Sequence, residues 1–190
     1  IANNTTGYTG GGMRLNNSHP TLTHVTISNN TTGNDGGGMH LFNSNPTLTN
    51  VTIVNNTAAL GGGMDLSDSN PIVTNVSISG NTANSSGGGM HLWNNSNPIL
   101  TNVTISGNYL TEFGIGGGIN IIGENANVIM NNVIISGNTS FQGGAISAGS
   151  ATINLKNCLI YDNNSTSQNS DGVIALENSF AEFVNVTIYL

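Results

Sequence analysis

Charge is what this sequence has least of. Of 190 residues, two are Lys or Arg and nine are Asp or Glu, so 6% carry formal charge, against a usual share near ~25%. Two basic side chains cannot neutralise a run of phosphates, so nucleic acid is excluded as a partner. The single cysteine, Cys158, excludes an internal disulfide framework. A lone Cys in an apolar pattern reads as a small buried hydrophobe rather than a nucleophile. Aromatic residues make up 5%. No apolar run approaches the ~18 residues of a membrane span. No signal-peptide pattern is seen and Ile1 is not a start residue, so a mature or excised segment is expected. The dipeptide Asn-Gly, the strongest two-residue hairpin signal, never occurs. The chain is not of the disordered class either, because 36% of it is hydrophobic and the net charge is −7.

What the sequence holds in quantity is 34 Asn, 26 Gly and 21 Thr, and they recur in phase. Gly-Gly-Gly-Met ends at Met13, Met39, Met64 and Met90, and looser copies end at Ile119, Ile146 and Ile174. The intervals are 26, 25, 26, 29, 27 and 28 residues. A second anchor keeps the same register: Val25-Thr-Ile27, Val51-Thr-Ile53, Val76-Ser-Ile78, Val103-Thr-Ile105, Val133-Ile-Ile135, Cys158-Leu-Ile160 and Val186-Thr-Ile188. Fixed-period similarity of this length marks a repeat architecture.

Within a unit, apolar and polar residues alternate with period two, which specifies strands, and Thr, Val and Ile favour them. Three short strands per unit are expected: Met13 to Leu15, Thr21 to Thr23, Val25 to Ser28, and their equivalents. Equal units with identical residues at identical phases suit parallel pairing of each strand with its copy in the next unit. The expected fold is therefore all-β, a right-handed parallel β-helix of about seven rungs, forming a single domain over residues 1–190. Two inward columns would fill the cylinder. One runs Met13, Met39, Met64, Met90, Ile119, Ile146, Ile174. The other runs Leu15, Leu41, Leu66, Leu92, Ile121, Ala148, Leu176.

The polar residues have places too. Pro20, Pro46, Pro71 and Pro98 precede the second strand, where no interior ladder bond is lost. A corner between strands two and three carries His24, Asn50, Asn75, Asn102, Asn132, Asn157 and Asn185, and Asn tolerates left-handed backbone. Asn50, Asn75, Asn102 and Asn185 also begin Asn-Val-Ser/Thr sequons, so this edge would carry glycans in a glycosylating host. After strand three, Asn4, Asn30, Asn56, Asn81, Asn108, Asn138 and Asn163 form a column whose stacked amides satisfy one another and turn backbone.

The Gly-Gly-[Gly/Ala]-[Met/Ile] string, with Ile-x-x-Asn closing strand three, resembles the repeats of right-handed parallel β-helix surface proteins. The chlamydial polymorphic outer-membrane proteins, with Gly-Gly-Ala-Ile and Phe-x-x-Asn motifs, are the named comparison. Gly143-Gly144-Ala145-Ile146 matches the first motif strictly, and Ile replaces Phe in the second. The resemblance covers the whole chain and implies a pectate-lyase-like fold and an extracellular adhesin or structural stalk.

That fold also hosts enzymes, so chemistry has to come from a site. Arg14 and Lys156 lie too far apart to cooperate as lyase groups. The acids Asp35, Asp65, Asp68, Glu112, Glu124, Asp162, Asp171, Glu177 and Glu182 are scattered, with only Asp65 and Asp68 close in sequence. His40, Asp65 and His91 stack at ~4.8 Å steps on the outward side of strand one, but the outer two, ~9.6 Å apart, are too far to ligate one ion together without large side-chain bending. A solvated column with a weak His–Asp contact is expected there. No catalytic residue, metal ligand or cofactor is therefore assigned. Beside that column, Phe42 and Trp93 are candidate sugar-stacking residues. Outward Thr columns resemble ice-binding faces, although Ile72, Ile99, Ile134 and Leu159 interrupt them.

The sequence thus predicts a non-catalytic extracellular structural module, with a carbohydrate- or ice-binding solenoid as the alternative. Both ends are cut at the same phase of the repeat. Bare rungs at Ile1 and Leu190 are expected, joined to further rungs or to head-to-tail copies.

Overall fold

The computed structural model describes residues 1–167 and 172–189, so Asp171 and Leu190 lie outside the described residues. The chain winds as a parallel β-helix. Four seven-stranded sheets run along it, and every strand pairs in parallel with its equivalent one turn away. No helix occurs among the described residues.

The first sheet comprises Met13–Asn16, Met39–Phe42, Met64–Ser67, Met90–Trp93, Ile119–Ile122, Ile146–Gly149 and Ile174–Glu177. The second begins at Thr21–Thr23 and the third at Thr26–Ser28, one residue later than the pattern suggested. Register is kept by identity of side chains: Met39 opposes Met64, Leu41 opposes Leu66, Ile53 opposes Ile78. A slip of one residue would turn these out and bring Thr or His in. Met39, Met64, Met90, Leu41, Leu66, Ile53, Ile78 and Ile105 are fully buried.

A fourth strand per turn corrects the expectation of three. It follows the Asn column and includes Thr31–Thr32, Thr57–Leu60, Thr82–Ser86 and Tyr109–Leu110. Its inward residue is Thr32, Ala58, Ala83, Leu110 or Ser140, all buried. These strands are often two residues long and mix polar with apolar side chains at the inward position. Period-two patterning therefore has nothing to register. The lengths of this segment vary, and its register shifts between Ala83 and Ser86.

The Asn column forms the expected ladder. Asn56 Oδ1 accepts from the backbone N–H of Asn30 at 2.9 Å and from its side-chain amide at 3.0 Å. Asn56 Nδ2 donates to Asn81 Oδ1 and to the Ile27 carbonyl, both at 3.0 Å. Each amide thus joins three successive rungs, with its carbonyl accepting twice and its NH2 donating twice. Asn30, Asn56, Asn81, Asn108 and Asn138 have no solvent exposure. The corner residues His24, Asn50, Asn75, Asn102, Asn132, Asn157 and Asn185 all have φ of 54–55°, the left-handed region. Asn50, Asn75, Asn102 and Asn185 are exposed along one edge. A third ladder escaped the sequence reading. The Ser44 N–H donates to Ser69 Oγ and the Ser69 N–H to Ser96 Oγ, at the turn into the second sheet.

The glycine triplets divide their work. The first glycine turns the chain at positive φ, as at Gly36 (70°) and Gly61 (59°). The last packs under its neighbour, where a Cβ on Gly38 would sit 2.6 Å from the Gly63 carbonyl oxygen. The Ile1 amine donates to the Thr26 carbonyl at 2.8 Å.

The two Asn columns differ in burial and so should differ in weight. Asn81→Ala strips partners from Asn56, Asn108 and the Ile53 carbonyl, and should lower unfolding free energy by on the order of 3 kcal/mol. Asn75→Gly, at an exposed corner whose φ glycine accepts, should cost under ~1 kcal/mol. Urea titrations of the two variants check this; equal losses would contradict the ladder's role.

Candidate functional site

The outer face of the first sheet departs from the repeat's plain Thr and Asn. Alternation along the strand puts residues two apart on the same face. One column therefore runs Arg14, His40, Asp65, His91, Asn120 and Ser147, and the next runs Asn16, Phe42, Ser67, Trp93, Ile122 and Gly149. On the other flank, residues just before each turning glycine stack as Asp35, Leu60, Ser86, Ile115 and Gln142.

The result is a groove with a floor and two walls, in place of the solvated column expected from sequence. His40 is 8% exposed, Asp65 4%, His91 3% and Asn120 0%. The left-handed turns at Gly36, Gly61 and Gly87 fold the preceding segment against the base of these side chains. An outward position in an isolated strand thereby becomes a buried one. A depression of about 260 Å³ opens over rungs two to four, lined by Asp35, His40, Phe42, Asp65, His91 and Trp93, among others. A second, of about 440 Å³, lies further along, with Asn120, Ile122, Gln142 and Glu177 among its lining residues.

The floor is wired around Asp65. Its Oδ1 lies 2.7 Å from His91 Nδ1, a short hydrogen bond in a buried setting. Its Oδ2 lies 3.5 Å from His40 Nε2. The His40 Nδ1 atom is buried without a partner. Burial holds the His40 pKa below the ordinary histidine value, working against the pull of Asp65 and Asp35. Asp35 comes in from the wall, and one ligand atom each from Asp35, His40 and Asp65 lie within 4.8 Å of one another. Burial first, then the Asp65 charge, push the Asp35 carboxyl above the usual carboxylate range. The structure therefore brings together two acids 30 positions apart in sequence. Asp68 instead faces Asn94 and Asn95. Asp35 was missed because its role depends on the glycine turn after it.

Phe42 and Trp93 hold the rim, 38% and 48% exposed. They stand two rungs apart, ~9.6 Å, with the small Ser67 between them. The Trp93 ring also meets His91, with centroids 6.3 Å apart. Cys158 takes no part: it is 3% exposed, and burial pushes its thiol pKa up, away from nucleophilic use.

The parallel coiling, the glycine turns and the buried Asn ladder agree with the comparison to protein families. Residues 16–188 match the model of the right-handed β-helix region. The chain belongs to the right-handed β-helix family. That family includes enzymes and non-enzymes alike, so membership settles the coil and its hand but not an activity. Searches of curated proteins and of solved structures found no match.

Asn120 carries unsatisfied polar atoms in the floor of the groove. Both its Nδ2 and Oδ1 are buried without partners, an arrangement that costs stability. Asn120→Leu, close in volume and apolar, should raise unfolding free energy by on the order of 1 kcal/mol. Thermal melts check it; a loss of stability would mean that the amide is satisfied in solution.

Proposed function

We propose that this β-helix is a non-catalytic structural module of an extracellular adhesin, stalk or filament, and that the groove of its first sheet recognises a neutral glycan. The observation that carries the reading is the pair Phe42 and Trp93, standing on either side of Ser67 above a polar floor. Aromatic faces at that separation bracket a pyranose ring, and polar groups beneath it meet hydroxyls. The net charge of −7 and the acids in the floor disfavour anionic polysaccharides. Elsewhere each turn is given to internal ladders and core, which suits a stiff rod.

The rod reading extends to its ends. On the last described turn the inward side chains Leu176, Phe183 and Ile188 are 42%, 44% and 40% exposed. In this proposal they stack on further rungs or on a second copy of the chain.

A second reading, glycoside hydrolysis, is favoured by Asp35 and Asp65 lying together, with Asp35 raised in pKa. Against it, Asp65 is 4% exposed and has an imidazole at each oxygen, so it faces its neighbours rather than a substrate.

Glycan-array binding of the intact chain separates these readings. Neutral glycans should bind without being cleaved, and Trp93→Ala or Phe42→Ala should weaken binding by about tenfold or more. Unchanged binding in both variants would remove the groove from the account. Cleavage of a bound glycan, abolished in Asp35→Asn, would establish the second reading instead.

A further inference from the structure

We infer that Asp35, His40 and Asp65 form a binding site for a divalent transition-metal ion of the zinc type, with His91 orienting Asp65 from behind. The site has one imidazole nitrogen and two carboxylate oxygens, with their ligand atoms within 4.8 Å of one another. Its metal would face the depression below Phe42 and Trp93.

The distances suit coordination better than direct pairing. His40 Nε2 and Asp65 Oδ2 stand 3.5 Å apart. A charged N–H···O bond between them would close to ~2.7–2.9 Å. Two ligands of one tetrahedral zinc, each ~2.0–2.1 Å from the ion, stand ~3.3–3.5 Å apart. His91 and the same carboxylate show what a direct pair looks like here, at 2.7 Å. The gap at His40 is the wider one, and it is the side that Asp35 faces.

The unpartnered His40 is an independent observation. The residue is 8% exposed and its Nδ1 has no partner, while Nε2 has the 3.5 Å contact to Asp65 Oδ2. A buried imidazole with one nitrogen unpartnered and the other at 3.5 Å from its only partner is poorly satisfied, and a ligand on Nε2 would improve that. The carboxylates of Asp35 and Asp65 lie close enough that their like charges oppose each other. A dication bound at Nε2 gives that nitrogen a close partner and offsets the repulsion between the carboxylates.

The surroundings complete the site. The short His91 bond to Asp65 Oδ1 leaves Oδ2 turned toward His40, the kind of support that holds a ligating carboxylate in place. Nitrogen and carboxylate together select zinc-like ions over calcium, which takes six or more oxygens. Three protein ligands leave a fourth position open toward the groove, where water or a ligand hydroxyl can bind. Arg14, one rung before His40, is exposed and screened by solvent.

The test is titration of the chelator-stripped full chain with zinc chloride by calorimetry, and with cobalt chloride by visible absorption. One equivalent should bind, with micromolar or tighter affinity and cobalt bands of tetrahedral intensity. Asp35→Asn and His40→Gln, with circular dichroism showing an intact β-helix, should each weaken zinc binding by about tenfold or more. His19→Gln with His24→Gln, at exposed histidines elsewhere on the coil, should leave it unchanged. Absence of stoichiometric zinc binding would overturn the site. So would loss of binding in the His19/His24 double variant, retention in both Asp35→Asn and His40→Gln, or a preference for calcium. The readout is metal alone, so it stands or falls separately from glycan binding.

Discussion

The structure depends on the amide of one asparagine per turn. Each turn must bend sharply between the third and fourth sheets, and a bend takes backbone groups out of the ladder. Buried there without partners, those groups would cost more than the short strands could offset. The asparagine replaces the missing bonds. Asn81, for example, accepts from Asn56 backbone and side chain, and donates both to Asn108 and back to the Ile53 carbonyl. The bond pattern is periodic by construction, so it also fixes the register. In the middle rungs a shift of one residue would present Thr82, Tyr109 or Thr139 on one side, or Gly80, Gly107 or Gly137 on the other, where the neighbours need an amide. The core columns and the glycine turns then fall into phase, since they sit at fixed offsets from that residue.

This constraint explains why the composition is so low in charge. A residue that repeats at every rung meets its own kind ~4.8 Å away. Apolar side chains and amides tolerate that; like charges do not. Where the first sheet breaks the rule it does so with opposite character in alternation, His40, Asp65, His91. The break lies under a flanking wall, between aromatic residues and beside a buried amide with no partner. Positions freed from the repeat are where a solenoid can acquire specificity, because changing them leaves the ladder intact.

Much of the coil was legible in the sequence, and for physical reasons. Gly-Gly-Gly-Met and Val-Thr-Ile recur because parallel in-register pairing rewards identity. The Asn4-to-Asn163 column and the left-handed corners were readable because few residues other than Asn serve either place. The fourth sheet was not readable: its short strands place Thr32, Ala58 or Leu110 at one inward position, which obeys no hydrophobic code. The groove was half readable. Phe42, Trp93 and the His40–Asp65–His91 column followed from alternation. Their burial did not, because the wall is made by residues ahead of Gly36 and Gly61, and only the folded turn brings Asp35 to Asp65.

Amide hydrogen exchange followed by NMR tests the central claim directly, at the backbone N–H groups of Asn30, Asn56, Asn81 and Asn108. Each of these donates to the side chain of the asparagine in the next rung. If the ladder holds the coil, these amides exchange only through global unfolding and rank with the most protected in the molecule. Exchange at the rate of exposed loops, while the strand amides around them stay protected, would show that the coil stands without the ladder.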